Sequence, residues 1–230
     1  MSTVVLIPAH QEAERITATV TAARTIAGVD RIVVIDDASS DGTADLAAAA
    51  GAEVVRLSAN VGKGAALDEG LQRVRGDADV LLLLDGDLAA SASQGALLLA
   101  PVLEGRADMT VAAFPRPAGK AGFGLVKGLA RFGIRLLGGE AGRAFAAAAP
   151  LSGQRAMTRS CWEVVTPFAF GYGVEVALTV RALRAGFRVE EVVTTMSHDA
   201  TGRDVAGFTH RGRQFLHVAR AILRLALERR

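Results

Sequence analysis

Short apolar runs recur along the first 90 residues, and each is followed by a segment with apolar residues at helical spacing. Runs rich in Val, Ile and Leu occupy residues 3–7, 31–35, 53–57 and 81–84. After the first run, Ile16, Val20 and Ala23 recur at a spacing typical of an amphipathic helix. Strands that alternate with helices in this way predict βαβ units and a mostly parallel sheet. We therefore predict an α/β fold of the Rossmann-like type, flanked by helices.

The second half of the chain has a less regular pattern. It predicts a helix over 91–103, a strand over 109–114, a Gly- and Pro-rich loop over 115–124 and a basic amphipathic helix over 125–136. A strand over 188–195 and a final amphipathic helix over 207–230 follow. Because we find neither an internal repeat nor a linker, we predict one domain that spans residues 1–230.

Composition excludes several classes of protein. The 230 residues are 50% hydrophobic and 22% charged, with a formal net charge of +2, which favours a globular domain over a disordered or nucleic-acid-binding chain. The single cysteine, Cys161, excludes an intramolecular disulfide and a cysteine-based metal cluster. We find no signal-peptide pattern and no apolar stretch of about 18–20 residues, the length that spans a bilayer. We therefore expect a cytoplasmic protein that meets a membrane, if at all, at its inner surface.

Polar residues collect where the predicted strands end. Asp36 and Asp37 follow the second strand, Lys63 lies between glycines after the third, and Asp85 and Asp87 follow the fourth. Right-handed crossovers bring these loops, together with residues 8–12, to one edge of a parallel sheet. Two close carboxylates need a positive partner, and Mg²⁺ typically takes one or two carboxylates plus phosphate oxygens. The pattern therefore indicates a metal site for a phosphorylated ligand, with a solvated Asp-Gly turn as the simpler alternative.

Four segments of the first half resemble the motifs of family 2 glycosyltransferases in order and spacing. They are IPAHQE at residues 7–12, VIDDASSDGT at 34–43, NVGKGAA at 60–66 and DGD at 85–87. Residues 171–175 (GYGVE) and 197–198 (SH) further resemble glucosyl-3-phosphoglycerate synthases, relatives with the same nucleotide-binding fold. The resemblance implies a GT-A fold, a nucleoside-diphosphate sugar donor, with UDP favoured over GDP, and Mg²⁺ or Mn²⁺ as the cofactor.

The resemblance also assigns roles by position. The residues of the nucleotide-sugar site would be Pro8, Ala9, Glu12, Asp36, Asp37, Lys63, Asp85 and Gly86. The metal ligands would be Asp87 and His198, with Asp85 close by, and the catalytic residues would be Asp87 and Glu175. Residues 1–114 would form the donor-binding half, and residues 115–230 the acceptor-binding half with its C-terminal helix.

Arginine side chains suit an anionic acceptor, because their planar donors match phosphate and carboxylate groups. The candidate acceptor contacts are Arg155, Tyr172 and Arg203. The acceptor would be either a small anionic metabolite or a polyprenyl phosphate, and the basic residues of 120–135 and of the last helix suit a lipid surface.

Three positions depart from the family patterns. Gln11 stands where asparagine is usual, and His10 where an aromatic residue or lysine is common. Met196 replaces an arginine that glucosyl-3-phosphoglycerate synthases place near the phosphates. This last departure weakens the case for 3-phosphoglycerate itself as the acceptor.

Several alternatives stay open on the sequence. Glu175 would be a general base if transfer inverts the anomeric centre and a positioning residue if transfer retains it. A nucleotidylyltransferase would show a Gly-rich loop with Arg and Lys, which residues 8–15 lack, and a non-catalytic nucleotide-binding protein could share the fold. A P-loop is disfavoured, because residues 62–64 lack the upstream glycine and the following Ser or Thr. Whether the chain forms a homodimer is also open.

Overall fold

The computed structural model describes residues 1–114, 124–169, 171–196 and 205–228, and only the backbone of Tyr172 and residues 205–213. Its strands are β1 (Thr3–Ala9), β2 (Arg31–Asp36), β3 (Glu53–Arg56), β4 (Val80–Leu83), β5 (Met109–Ala113), β6 (Arg155–Thr158) and β7 (Val189–Val193). Its helices are α1 (Ile16–Arg24), α2 (Thr43–Ala49), α3 (Lys63–Val74), α4 (Gly95–Leu103), α5 (Gly124–Leu137), α6 (Gly139–Ala144), α7 (Arg159–Val165), α8 (Val174–Arg184) and α9 (Val205–Leu227). Short 3-10 turns at Ala89–Gln94 and Gly171–Gly173 precede α4 and α8.

The strands form one seven-stranded sheet in the order β3-β2-β1-β4-β6-β5-β7. The first four strands run parallel, with Leu6 of β1 opposite both Val33 of β2 and Leu83 of β4. β6 runs antiparallel to its neighbours β4 and β5, whereas β5 and β7 pair in parallel. This arrangement confirms the predicted α/β fold with a mostly parallel sheet. It also places the loops after β1, β2 and β4 at one edge of the sheet.

Alternate residues of the central strands face two hydrophobic layers. Val4 and Leu6 pack with Leu67 of α3 on one face of the sheet. Val5 and Ile7 pack with residues of α1 and α4 on the other face. A third cluster joins α5, α8 and α9. Because both faces of the sheet are covered, the strands have continuous apolar sequences, and polar residues are left for the strand ends.

Three elements of the second half were not predicted from the sequence. β6 has only the sequence Arg-Ala-Met-Thr, yet it fills the space between β4 and β5. The short helices α6 and α7 are likewise absent from the predicted elements. The helix predicted over 91–103 divides at Gly95 into a 3-10 turn and α4, and the last helix begins at Val205 rather than at residue 207. Within the described ranges, no helix has the length and apolar character needed to cross a bilayer.

Candidate active site

A cleft with a volume of about 420 Å³ opens at the carboxyl edge of the parallel strands. Its walls are formed by Pro8, Ala9, His10, Glu12, Asp37, Lys63, Asp85, Gly86 and Asp87. The structure thus brings together all the predicted donor-site residues except Asp36, and it adds Asp87 and His10. The convergence follows from the topology, because loops after parallel neighbours open on the same side.

The loop after β1 is held by hydrogen bonds that it donates to the loop after β2 and to the first residue of α2. The backbone N–H of Gln11 donates to Ser39 Oγ at 3.0 Å, and the backbone N–H of Glu12 donates to Thr43 Oγ1 at 2.8 Å. The side chain of Gln11 donates to Ser40 Oγ at 3.0 Å. Gln11 has a φ of 59°, so this turn is fixed in a left-handed conformation. The glutamine that departs from the family pattern therefore joins the two loops.

The two neighbouring carboxylates at the end of β2 have different surroundings. Asp37 accepts hydrogen bonds from the backbone N–H groups of Val61 at 2.7 Å and Gly62 at 2.8 Å. Gly62 has a φ of 84°, which favours glycine, and it leads directly into α3 at Lys63. Asp36 is 4% exposed, and no donor among the described residues reaches its Oδ1. Asp37 therefore fixes the backbone that carries Lys63, whereas Asp36 offers an unsatisfied acceptor.

Lys63 lies between two carboxylates that come from opposite halves of the chain. Its Nζ is 2.6 Å from Asp85 Oδ1 and 3.5 Å from Glu175 Oε1. Burial would lower the pKa of Lys63, but the charges of Asp85 and Glu175 outweigh it and raise that pKa above its usual value. Lys63 is therefore cationic at neutral pH, and it joins the donor loops to the start of α8.

Gly153 and Gln154 complete this cluster, although the sequence patterns do not single them out. Gln154 is fully buried, and its Nε2 donates to Asp85 Oδ2 at 2.6 Å. A Cβ at Gly153 would overlap Lys63 Nζ and lie 3.3 Å from both carboxylate oxygens of Asp85. In the sequence, these residues appear only as part of a Ser-Gly-Gln turn. Their role becomes visible when β6 is placed beside β4, because this pairing brings the turn to Asp85.

Asp87 lies on the wall of the cleft, two residues after Asp85, in the DGD segment that resembles a metal-binding motif. A cation in the cleft would therefore have two neighbouring carboxylates available, and Asp85 is held in place by Lys63 and Gln154. Among the described residues, no group of three His, Cys, Asp or Glu side chains converges as a complete metal site. A partial site of this kind fits Mg²⁺ or Mn²⁺ that takes its other ligands from phosphate oxygens. The predicted ligand His198, the predicted acceptor contact Arg203 and the side chain of Tyr172 lie outside the described part of the structure.

The structure corrects the prediction for Arg155. Its side chain is 0% exposed, so it faces no acceptor. Its guanidinium donates to the carbonyl oxygens of Ser152 at 3.0 Å and Glu175 at 2.9 Å, and to Thr179 Oγ1 at 2.9 Å. Burial lowers the pKa of Arg155 to about 10. Arg155 therefore fixes the first turn of α8, which carries Glu175, relative to the Ser152–Gln154 turn.

Thr19 of α1 holds the Asp85–Asp87 turn from the interior, a role that the sequence does not signal. Its Oγ1 donates to the carbonyl oxygen of Gly86 at 2.8 Å and accepts from the backbone N–H of Ala89 at 2.8 Å. Thr19 is 0% exposed and its bond to the Gly86 carbonyl is buried, so that carbonyl has no water as an alternative partner, whereas the bond from Ala89 is partly buried. The turn that carries both carboxylates therefore depends on this hydroxyl.

Replacing Thr19 by valine is expected to lower the free energy of unfolding by about 2 kcal/mol, because it leaves the buried Gly86 carbonyl without a partner and removes the acceptor of the partly buried Ala89 N–H. Urea denaturation measures this change. Thr25→Val is the matched control, since Thr25 is exposed and bonds only Ala22 of its own turn, and we expect it to change stability by less than about 0.5 kcal/mol. Equal effects of the two substitutions would contradict the role of Thr19.

Comparison with known proteins agrees with this geometry. The model of glycosyl transferase family 2 matches residues 4–135, more than half of the chain, and this chain belongs to that family. Glycosyltransferase AglJ of Haloferax volcanii is 33% identical over 208 residues, which are 87% of this chain and 64% of that protein. Glucosyl-3-phosphoglycerate synthase of Mycolicibacterium paratuberculosis is 36% identical over 171 residues, 66% of this chain and 50% of that protein. The chain thus spans between half and two thirds of the length of these relatives.

The fold is similar to that of a solved enzyme. Glucosyl-3-phosphoglycerate synthase from Mycobacterium tuberculosis, in complex with Mn²⁺, uridine diphosphate and phosphoglyceric acid, superposes with a TM-score of 0.80. The alignment has 26% sequence identity and covers 97% of this chain and 78% of that one. The same enzyme with Mg²⁺ and uridine diphosphate gives a TM-score of 0.77 at 24% identity over 97% of this chain and 79% of that one. The predicted GT-A fold class is confirmed.

Proposed function

We propose that this chain is a metal-dependent glycosyltransferase that moves a sugar from a nucleoside-diphosphate sugar to a hydroxyl or phosphate acceptor. The observation that carries the proposal is the cleft in which Lys63, Asp85 and Asp87 meet at the carboxyl edge of the sheet. Such an edge is where open α/β sheets bind nucleotides. The family membership supports the same reaction.

The donor we favour is a UDP-sugar. The loop of Pro8, Ala9 and Glu12 would line the nucleoside. Asp36 is not part of the cleft wall, and its buried, unsatisfied Oδ1 stays a proposed acceptor for the base or ribose. The structurally similar glucosyl-3-phosphoglycerate synthase from Mycobacterium tuberculosis is solved in complex with uridine diphosphate, which supports this choice. Lys63, cationic within the cleft, would face the diphosphate side of the donor.

A divalent cation would be held by Asp87, with Asp85 beside it, and by the donor's phosphate oxygens. As a Lewis acid, it would stabilise the negative charge that develops on the diphosphate leaving group. Asp85 is oriented for this position by Lys63 and Gln154, and the whole turn by Thr19. His198 stays a proposed further ligand.

Glu175 is proposed to position Lys63 and the acceptor rather than to act as a free general base. Its side chain is only 8% exposed, and its carboxylate lies 3.5 Å from Lys63 Nζ. The first turn of α8, held by Arg155, keeps this carboxylate at the junction between the two halves of the chain.

The acceptor is proposed to be anionic, either a small metabolite or a polyprenyl phosphate, with Tyr172 and Arg203 as candidate contacts. Met196 is buried in the hydrophobic layer that includes α1 and α4. Methionine has no charge, so this position lacks the positive charge of the arginine that glucosyl-3-phosphoglycerate synthases carry there. This weakens 3-phosphoglycerate relative to other anionic acceptors.

A donor screen tests the proposed function. The purified chain is incubated with UDP-glucose, UDP-galactose or GDP-mannose, with Mn²⁺, Mg²⁺ or EDTA, and release of the nucleoside diphosphate is measured. We expect slow, metal-dependent hydrolysis of a UDP-sugar. Binding of uridine diphosphate without turnover on any phosphorylated acceptor would favour a non-catalytic nucleotide-binding protein. Release of pyrophosphate from a nucleoside triphosphate and a sugar phosphate would favour a nucleotidylyltransferase.

Replacing Gly153 by alanine is expected to weaken binding of uridine diphosphate about tenfold, because the new methyl group displaces Lys63 from Asp85. Gly153 has no positive φ, so the substitution acts through this overlap and not through backbone strain. Isothermal titration with Mn²⁺ present measures the affinity. Gly76→Ala is the control, since nothing lies within 4 Å of a Cβ there. Unchanged affinity in the Gly153 variant would contradict the placement of Lys63 in the donor site.

A further inference from the structure

Many of the large hydrophobic side chains that the described chain exposes lie on two helices, α5 and α9. On α5 they are Leu125, Phe132 and Leu136, which are 82%, 59% and 53% exposed. On α9 the most exposed are Leu216, Leu223 and Leu227. Single exposed apolar residues are ordinary on a protein surface, but a contiguous apolar patch marks an interaction site.

The two helices meet at Gly133, where a Cβ would lie 2.6 Å from Ile222 Cδ1. At 3.6 residues per turn, the three exposed α5 residues fall within about 40° of one another around the helix axis. They lie next to the side of α5 that meets α9, and they face away from the core. The three leucines of α9 likewise fall within about 40°, on the solvent side of Ile222. The strips therefore adjoin across one crossing. We call them the α5–α9 surface, formed by Leu125, Phe132, Leu136, Leu216, Leu223 and Leu227.

Basic side chains border this surface on both outer sides. Arg135 lies on the flank of α5, about 80° from its apolar strip, and Arg220 and Arg224 lie on the flank of α9. All three are exposed, and none forms an ion pair with another described residue. Neither α5 nor α9 contains an aspartate or a glutamate. An apolar strip between basic flanks is the pattern of helices that lie in the interface of an anionic membrane.

We propose that the α5–α9 surface binds the surface of an anionic phospholipid bilayer. The six apolar side chains would enter the boundary between headgroups and acyl chains, and the three basic side chains would meet lipid phosphates. A second copy of this chain is the competing occupant. Two facing copies would bring their basic flanks together without an acidic side chain on either helix to neutralise them, so charge complementarity favours the lipid.

The inner faces of the same two helices border the side of the site that carries Glu175. A cavity of about 50 Å³ is lined by Val126 of α5, Leu151, Glu175, and Gln214 and Val218 of α9. Val126 and Val218 are the inward-facing residues of the same two helices. If the proposed function holds, a bilayer on this surface would lie across α5 and α9 from Glu175, which favours a membrane-borne acceptor such as a polyprenyl phosphate over a free metabolite.

Vesicle flotation tests the proposal without donor or acceptor, so its failure is separate from failure of the proposed activity. The 230-residue chain is mixed with phosphatidylcholine vesicles or with vesicles that contain about 30% phosphatidylglycerol. We expect binding to the anionic vesicles only, and loss of most of it when the salt concentration rises to about 0.5 M, because screening shortens the reach of the lipid charge.

Two double variants separate the charged and apolar contributions. Arg135→Gln with Arg224→Gln is expected to weaken vesicle binding about 25-fold, since each basic residue at an anionic surface contributes about fivefold. Phe132→Gln with Leu223→Gln is expected to abolish it. The matched controls are Arg73→Gln with Arg106→Gln, and Leu46→Gln with Leu97→Gln, exposed residues of the same kinds elsewhere. These controls should bind as the parent chain does.

Three results would overturn the proposal. One is absence of binding to the anionic vesicles, and another is equal loss of binding in the controls and in the α5–α9 variants. The third comes from light scattering: a dimer of the parent chain that Phe132→Gln with Leu223→Gln converts to a monomer would assign the surface to a second copy of the chain. Circular dichroism on every variant checks that the fold is intact.

Discussion

Replacing Asp87 by asparagine is expected to lower the rate of metal-dependent donor cleavage at least about 1000-fold, equivalent to about 4 kcal/mol of transition-state stabilisation. The reason is the position of Asp87, which lies on the cleft wall and is the residue of the DGD segment to which the family resemblance assigns the metal. Asparagine keeps the shape of the side chain but removes the charge that holds the cation against the diphosphate.

Calorimetry separates this loss from unfolding. In the Asp87→Asn variant, the affinity for uridine diphosphate should no longer increase on addition of Mn²⁺, while the weaker metal-free affinity stays as in the parent chain. Asp77→Asn is the matched control, because Asp77 precedes the opposite end of β4 and pairs with Arg31 at the surface. A variant at Asp87 that keeps more than about a tenth of the parent rate would remove Asp87 from the metal site.

Replacing Lys63 by methionine is expected to destabilise the chain by about 2 kcal/mol at neutral pH. The substitution leaves Asp85 and the buried carboxylate of Glu175 without their shared cation. We place the effect below that of a fully buried pair, because the Lys63 side chain is 31% exposed and its interactions are partly screened. Donor binding should be lost in the same variant.

The pH dependence of stability identifies the cause. The fold raises the pKa of Lys63 above its usual value of 10.5, so its stabilisation is complete below that pH and is lost only as the pH rises through the folded pKa. In the parent chain, Lys63 should therefore contribute nothing to the slope of the free energy of unfolding against pH between about pH 5 and pH 8. In Lys63→Met, two close carboxylates lack a cation, and protonation of one of them on acidification relieves their repulsion. The difference in the free energy of unfolding between the parent chain and Lys63→Met should therefore shrink as the pH is lowered towards about pH 5.

Urea denaturation at several pH values, compared with Lys127→Met, measures this effect. Lys127 is exposed on α5 and forms no ion pair with the described residues, so its replacement should leave both the stability and its pH dependence unchanged. A constant deficit in Lys63→Met from about pH 5 to pH 8 would mean that lost packing, and not lost charge, is the cause.

Local sequence was sufficient for the first half of the fold and for much of the cleft. Strands buried on both faces need continuous apolar runs, and the parallel βαβ connection sends every following loop to one edge. These two constraints bring Pro8, Asp37, Lys63 and Asp87 together without knowledge of any side-chain contact. The same logic failed for β6, whose four residues have no strand pattern and are held by pairing with β4 and β5.

What each residue does in the cleft was decided by tertiary structure. The partners are distant in the chain: Thr19 is 67 residues from Gly86, and Gln154 is 69 residues from Asp85. Arginine is a residue type that suits an anionic acceptor. Arg155 lies in β6, however, where it is buried, and its guanidinium donates to the start of α8 instead. A residue type specifies which hydrogen bonds and charges are available, whereas strand order and register specify which groups receive them. For this chain, the amino-acid sequence determined the α/β fold and the carboxylate-rich edge of its sheet. The packing of β6, α8 and α9 determined that Lys63, Asp85 and Glu175 share one site.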